Sequence, residues 1–252
     1  MSVWRARDLD QHYDALSAGD VVVGALSAKY LQPALVADLL ERGVRCMPSA
    51  LCQLIGRSKC AQAVLLRQWM VPHTRVIARR AELMEAVGYC ARHRIAEVVT
   101  KQEGMHCGHG IRRWESVETL YNTVAFNAAA YPFVLQPFLP DIADIRVIVV
   151  GDYLEAYTRA NDYNFRANLA AGGASRPLAM DAAAERFCRK VMRRGRFPYA
   201  HIDLHLTAEG RFWLSEIALE GGIAAARIGR DELQRRKQEI LEQLATQDNE
   251  RS

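Results

Sequence analysis

Apolar residues recur along this chain with two different periods, and the change from one to the other divides it. Val21, Val22 and Val23 form an unbroken β-branched run, which predicts a buried strand over 20–26. Leu35, Val36, Leu39 and Leu40 fall at helical spacing within 32–42, and Gly43 supplies the stop. A short strand over 44–47 follows, so strand, helix and strand open the chain as an α/β layer. The pattern then predicts a helix over 58–69, started by Ser58 and broken at Val71-Pro72, and a strand at 76–77. A helix over 81–92 and a strand over 97–101 come next. The helix over 116–130 has Ser116 and Glu118 at its start. Beyond it, strands dominate, at 133–135, 144–150 and 153–159, with Gly151-Asp152 as the hairpin turn between the last two. A polar, glycine-rich stretch covers 161–175. Asp181 caps a helix over 181–193. A second hairpin pairs 200–206 with 212–217 around Glu209-Gly210. The final helix, 231–246, carries Leu233, Ile240, Leu241 and Leu244 on one face.

Composition narrows the class. The 252 residues are 50% hydrophobic and 25% charged, the balance of a globular protein with a substantial core. The formal net charge of +4 is small and scattered, which suits an anionic small ligand and argues against nucleic acid as a partner. Six cysteines form no CxxC pair, so free thiols in a reducing cytoplasm are expected. Neither a signal-peptide core nor an apolar stretch near the ~20 residues of a membrane span occurs, so no membrane partner is expected.

Several residues stand out for chemistry. Lys101 ends a strand just before Gly104, Gly108 and Gly110, whose backbone amides are free to turn toward an anion. The spacing fits neither a Walker A loop nor a Rossmann fingerprint. His106, Cys107 and His109 crowd the same loop without a usual zinc spacing. Asp203 and Glu216 sit inside apolar strands that the intervening turn makes antiparallel. Carboxylates there are costly unless paired or bound to a cation, and two that converge make a Mg²⁺ site. Arg159, Arg166 and Asn168 lie in a segment poor in large apolar groups, where guanidiniums would grip a phosphate or carboxylate.

Taken together, the run Asp144-Ile145-Arg146 through Val150-Gly151-Asp152, followed by Asn164-Phe165-Arg166-Ala167-Asn168-Leu169 and Gly172-Gly173, resembles the RimK-like branch of the ATP-grasp superfamily. The resemblance covers about residue 47 to the carboxyl terminus. It implies an α+β fold, two subdomains clasping ATP. A shortened pre-ATP-grasp α/β lobe at 1–57 would precede an ATP-grasp domain at 58–252, itself split into 58–135 and 136–252. It implies a carboxylate–amine ligase that makes an amide through an acylphosphate and releases ADP and phosphate, with glutamate as a candidate substrate. Lys59, Lys101, Gly108, Gly110, Gln136, Pro137, Phe138, Asp144, Arg159, Arg166 and Asn168 would meet the nucleotide, with the Pro137–Phe138 backbone at the adenine. Arg146 and Arg166 would act in catalysis, and Asp203, Glu216 and Glu220 would hold Mg²⁺ or Mn²⁺. The implied partners are ATP and small-molecule or peptide carboxylates and amines, with homo-oligomers left open.

Two positions depart from the family pattern. Ala218 stands where a metal-binding asparagine is expected, and Pro137 stands at the hinge where an acid is common. The first motivates an alternative, an ATP-binding protein that has lost ligase activity and serves as a regulatory or assembly partner. A phosphotransferase that stops after phosphoryl transfer is a third reading.

Overall fold

The computed structural model describes residues 2–105, 109–161 and 174–249. Strands β1 (Val3–Arg5), β2 (Val21–Val23) and β3 (Arg45–Met47) form a small parallel sheet, with α1 (Leu9–His12) and α2 (Pro33–Glu41) between them. All three valines of β2 are buried. Val22 faces α2 and packs with Leu9, Val36 and Leu39, while Val21 and Val23 turn the other way into the main core of the molecule. Burial on both faces is why this strand reads as a continuous apolar run rather than an alternation.

Helices α3 (Ala50–Ile55) and α4 (Lys59–Leu65) connect to the next layer. Ser49 and Ser58 cap them, accepting from the Cys52 and Ala61 amides at 3.3 and 2.9 Å. Strand β4 (Arg75–Ile77), helix α5 (Arg80–Arg92), strands β5 (Val98–Gln102) and β6 (Ile111–Trp114), helix α6 (Val117–Val124) and strand β7 (Phe133–Pro137) follow. The four strands pair antiparallel in the order β4-β7-β5-β6. Leu83, Cys90, Leu120 and Phe133 form a local core between this sheet and its two helices.

The larger sheet comprises β8 (Ala143–Val150), β9 (Tyr153–Ala160), β10 (Ala174–Leu178), β11 (Tyr199–Leu206) and β12 (Phe212–Ala218), in the order β10-β9-β8-β11-β12 and antiparallel throughout. Helix α7 (Ala182–Gly195) is capped by Asp181, which accepts from the Ala184 amide at 2.7 Å, and it ends at Arg196 with φ +57°. Helix α8 (Arg230–Asn249) closes the chain. The main core gathers Ile145, Val147, Ile202, Leu204, Leu214 and Ile217 from the sheet, Val191 from α7 and Leu233 from α8.

The structure differs from the predicted elements in identifiable ways. β1, α1, α3, β6 and β10 were not expected. β1 is only three residues long with Val3 and Arg5 exposed, and takes its place because Asp20 accepts from the Ser2 amide and the Trp4 indole. The helix predicted over 116–130 stops at Val124. Asn127 then bonds its own chain two residues on, and a single 3₁₀ turn spans Ala128–Ala130.

Candidate active site

A cavity of about 650 Å³ separates the four-stranded sheet from the five-stranded one, with Ala25, Leu26 and Leu31 of the amino-terminal lobe at one end. Strand alternation decides what enters it. On β5 and β7, Val99 pairs with Gln136, and these residues point into the cavity together with Lys101 and Ile111. On the larger sheet Asp144 and Arg146 of β8, Arg159 of β9, His201, Asp203 and His205 of β11, and Glu216 and Ala218 of β12 share the facing surface.

Asp203 is the centre of an ion cluster. It is the direct cross-strand partner of both Arg146 and Glu216. Arg146 grips its carboxylate with two bonds, from Nε and, at 3.0 Å, from Nη2. Arg159 Nη2 reaches the same carboxylate at 3.0 Å, while Arg159 Nε donates to Asp144 at 2.6 Å. Burial opposes the charged form of Asp203, yet Arg146 and Arg159 outweigh it and hold its carboxyl below the usual range. Asp144 goes the other way. Burial and the Asp203 charge push it up to about 6, against the pull of Arg159 and Arg146. Glu216, by contrast, has no hydrogen bond or ion pair among the described residues; its charge favours the protonated form of Lys101.

Lys101 bridges the two sheets. Its Nζ donates to the Ser215 carbonyl and hydroxyl, each at 3.1 Å. A β-bulge makes this contact: the register slips between Asp203 and Leu204, leaving Ser215 unpaired and turned toward the cavity. Burial lowers Lys101 to about 8, with Lys59 adding to the effect and Glu216, Asp203 and Asp144 opposing it. Lys59 opens α4, is buried, and donates to the Met105 carbonyl in the glycine turn. That turn begins where the Gln102 amide meets the Gly110 carbonyl.

At the hinge, Gln136 is buried and donates to Thr74 at 2.8 Å. Pro137 has no N–H to offer an adenine. The Phe138 N–H already donates to the Glu97 carbonyl at 2.9 Å, extending the β5–β7 ladder past Pro137. The Phe138 ring carries the Arg113 guanidinium 3.9 Å from its centroid.

The third acid lies apart from the other two. Glu220 accepts from buried Lys237 of α8 at 2.8 Å, and its side chain is 61% exposed. Among the described residues no three acid, histidine or cysteine side chains gather as a ready-made metal cage. The Asp203–Glu216 pair still fits a hard cation, because Mg²⁺ is commonly bound by one or two carboxylates with phosphate and water completing the shell. Gly108, Arg166 and Asn168 lie outside the described residues, as do His106 and Cys107.

Sequence reasoning missed His201, His205 and Ser215. The two histidines were legible, since they alternate with Asp203 on the same strand face. Ser215 was not, because a bulge leaves no mark in the pattern. His201 and His205 are both pushed down to about 3, mainly by burial, and their rings are neutral.

Comparison with known proteins identifies the class. The fold matches solved ligases of the ATP-grasp fold. The D-alanine–D-alanine ligase from Bacillus anthracis aligns over 98% of this chain and 86% of its own, with TM-score 0.65 and 14% identity. D-cycloserine synthetase DcsG aligns over 96% and 98%, with TM-score 0.64 and 15% identity. A Chryseobacterium gregarium RiPP-associated ATP-grasp ligase, solved with ADP and a leader and core peptide, aligns over 90% and 76%, with TM-score 0.59 and 16% identity. No curated protein matches by sequence. The RimK-like ATP-grasp domain profile matches residues 56–228, more than half of the chain, and the protein belongs to that family. ATP-dependent joining of a carboxylate to an amine is the general chemistry of this family. No helix among the described residues is long and apolar enough to cross a membrane.

Proposed function

We propose that this protein is an ADP-forming carbon–nitrogen ligase: a carboxylate attacks the γ-phosphorus of ATP, and an amine then displaces phosphate from the acylphosphate to leave an amide. The observation that carries this reading is the convergence of Asp203, Glu216, Arg146 and Arg159 on one sheet face opposite Lys101 of the other, within a single cavity. Asp203 and Glu216 would hold Mg²⁺ or Mn²⁺, which when bound would neutralise triphosphate charge, while Glu220 stays with Lys237. Lys101 and Lys59 would meet the phosphates and Gln136 would border the adenine. Asp144 would tether Arg159, so that the guanidinium faces the nucleotide. Such chemistry asks for positioning and fixed charge rather than a protein nucleophile. Glutamate as one substrate is supported by family membership alone. The five described cysteines are free, consistent with a cytoplasmic protein.

A second reading has its own observation. Asp203 is already gripped by two arginines and Ala218 offers no ligand, so a cation would rest chiefly on Glu216. An ATP-binding partner without ligase turnover follows from that. Incubation with ATP, Mg²⁺ and panels of carboxylates and amines separates the two. Amine-dependent ADP release supports the ligase, and saturable ATP binding without release supports the second reading.

A further inference from the structure

Helix α7 carries a stripe of unpartnered charge. Its inner face, with Ala184, Cys188, Val191 and Gly195, is buried. Its outer face presents Arg186, Lys190, Arg193 and Arg194, and Arg196 follows at the left-handed end. All five are exposed, and none of their side chains makes a hydrogen bond or ion pair among the described residues. The helix holds five basic residues and one acid, a net +4, which is the formal charge of the whole chain. The rest of the chain is neutral on balance, so the surplus is gathered in one place rather than spread.

This arrangement opposes the fold. Residues four apart on a helix are neighbours, so Arg186 and Lys190 repel each other, as do Lys190 and Arg194. The helix dipole favours bases in the last turn, which accounts for Arg193 and Arg194 and not for Arg186 and Lys190. The other long helix treats its cations differently. On α8, Arg235 and Arg236 share Glu232 at 2.8 and 2.6 Å, and Lys237 meets Glu220 at 2.8 Å. The outer face of α7 is matched to negative charge from outside the chain.

Position and size define the partner. Gly195 packs toward α3, where a Cβ on it would lie 3.9 Å from Ile55 Cδ1. Arg57, two residues beyond Ile55, lines the cavity, and its side chain is likewise unpaired among the described residues. The helix thus ends beside the segment that borders the candidate active site. From Arg186 to Arg194 the stripe runs about 12 Å, the length of about four residues of extended polypeptide. Nucleic acid fits less well. The remainder of the chain adds no net positive charge for a phosphate backbone to follow, and the one aromatic ring of the helix, Phe187, is turned to Phe212 instead of standing free for a base to stack on.

We propose that α7 docks an acidic polypeptide, whose Asp and Glu side chains pair with Arg186, Lys190, Arg193 and Arg194 while adjoining residues enter the cavity past Arg57. The docking stands on charge and position; that the docked chain is a substrate rests on the ligase reading.

The test measures fluorescence anisotropy on the intact protein, without nucleotide, at low ionic strength. The probes are a fluorescein-labelled peptide of alternating Glu and Gly, its Gln-Gly counterpart, and an oligouridylate of the same number of units. The Glu-Gly peptide should bind saturably and be released by salt at about 0.3 M, and the Gln-Gly peptide should not bind. Arg186→Gln/Lys190→Gln should weaken the Glu-Gly peptide by about tenfold and keep the wild-type melting temperature. Arg92→Gln/Arg94→Gln removes the same charge from the end of α5 and should change binding by less than about twofold. Equal binding by the α7 variant overturns the proposal, as does an equal loss in the α5 variant, which marks a response to net charge alone. An oligouridylate that binds more tightly than the Glu-Gly peptide through the same residues overturns it in favour of nucleic acid. ADP release with small carboxylates and amines, run on the same proteins, should be unchanged in the α7 variant. If the wild type releases no ADP, the ligase reading fails while the peptide titration still decides the docking.

Discussion

Asp203 and Glu216 face each other directly across β11 and β12, yet only Asp203 is held by guanidiniums. The two acids therefore differ in what they do for the fold. Removing one partner from a buried ion cluster leaves uncompensated charge and costs about 3–5 kcal/mol. Asp203→Asn should lower the melting temperature markedly and abolish metal-dependent ATP turnover. Glu216→Gln should abolish turnover as fully while changing stability by less than about 0.5 kcal/mol. Thermal melts run beside an ADP-release assay check this. Full turnover in Glu216→Gln would remove that residue from the site.

Lys101 is charged below about pH 8 in the free protein and increasingly neutral above it. Phosphates favour the charged form, so nucleotide binding should draw in a proton once the pH passes 8. ATP affinity should then fall with rising pH, by up to about tenfold per unit. Calorimetry between pH 7 and 9.5 should show the fall in the wild type and none in Lys101→Arg. The same group makes folding more favourable as pH climbs from 8 toward 10.5. The unfolded chain holds the proton over that window and the folded chain does not.

Asp144 has the opposite sign. Its folded pKa, about 6, lies above the ordinary 3.8, so the folded state binds the proton more tightly between those values. Its contribution to stability is complete below about pH 4 and is lost as pH rises through 6. Asp144→Asn should flatten the stability profile across that window, which denaturant melts at pH 4, 5, 6 and 7 would reveal. An unchanged slope would show that Asp144 does not titrate there.

Glu220 is turned to Lys237, whose Nζ also donates to the Leu219 carbonyl at 3.0 Å. Glu220→Gln removes the counter-charge of a buried ammonium, and a loss of about 1–3 kcal/mol is expected. The Mg²⁺ concentration needed for half-maximal ADP release should stay within about twofold of wild type. A several-fold rise would put Glu220 on the cation.

Much of this architecture is written in alternation. The strands that carry Asp144, Arg146, Asp203 and Glu216 are legible because one face is apolar throughout, and the acids then fall on the other. The helices begin where Ser58, Ser116 and Asp181 mark them. What escapes is set by contacts between distant segments. β1 exists because Asp20 reaches Ser2 and Trp4. Ser215 faces Lys101 only because the ladder slips by one residue. The committed amide of Phe138 depends on Glu97, some forty residues earlier, and no local pattern records it.

Val21 and Val23 lie in the same core as Ile145, Val191 and Leu233. The amino-terminal strand thus shares its interior with the sheet that bears the acids. A chain begun at residue 58 would bare that interior to water and should aggregate. An exchange of this lobe between relatives would have to carry its matching surfaces on α3 and α8.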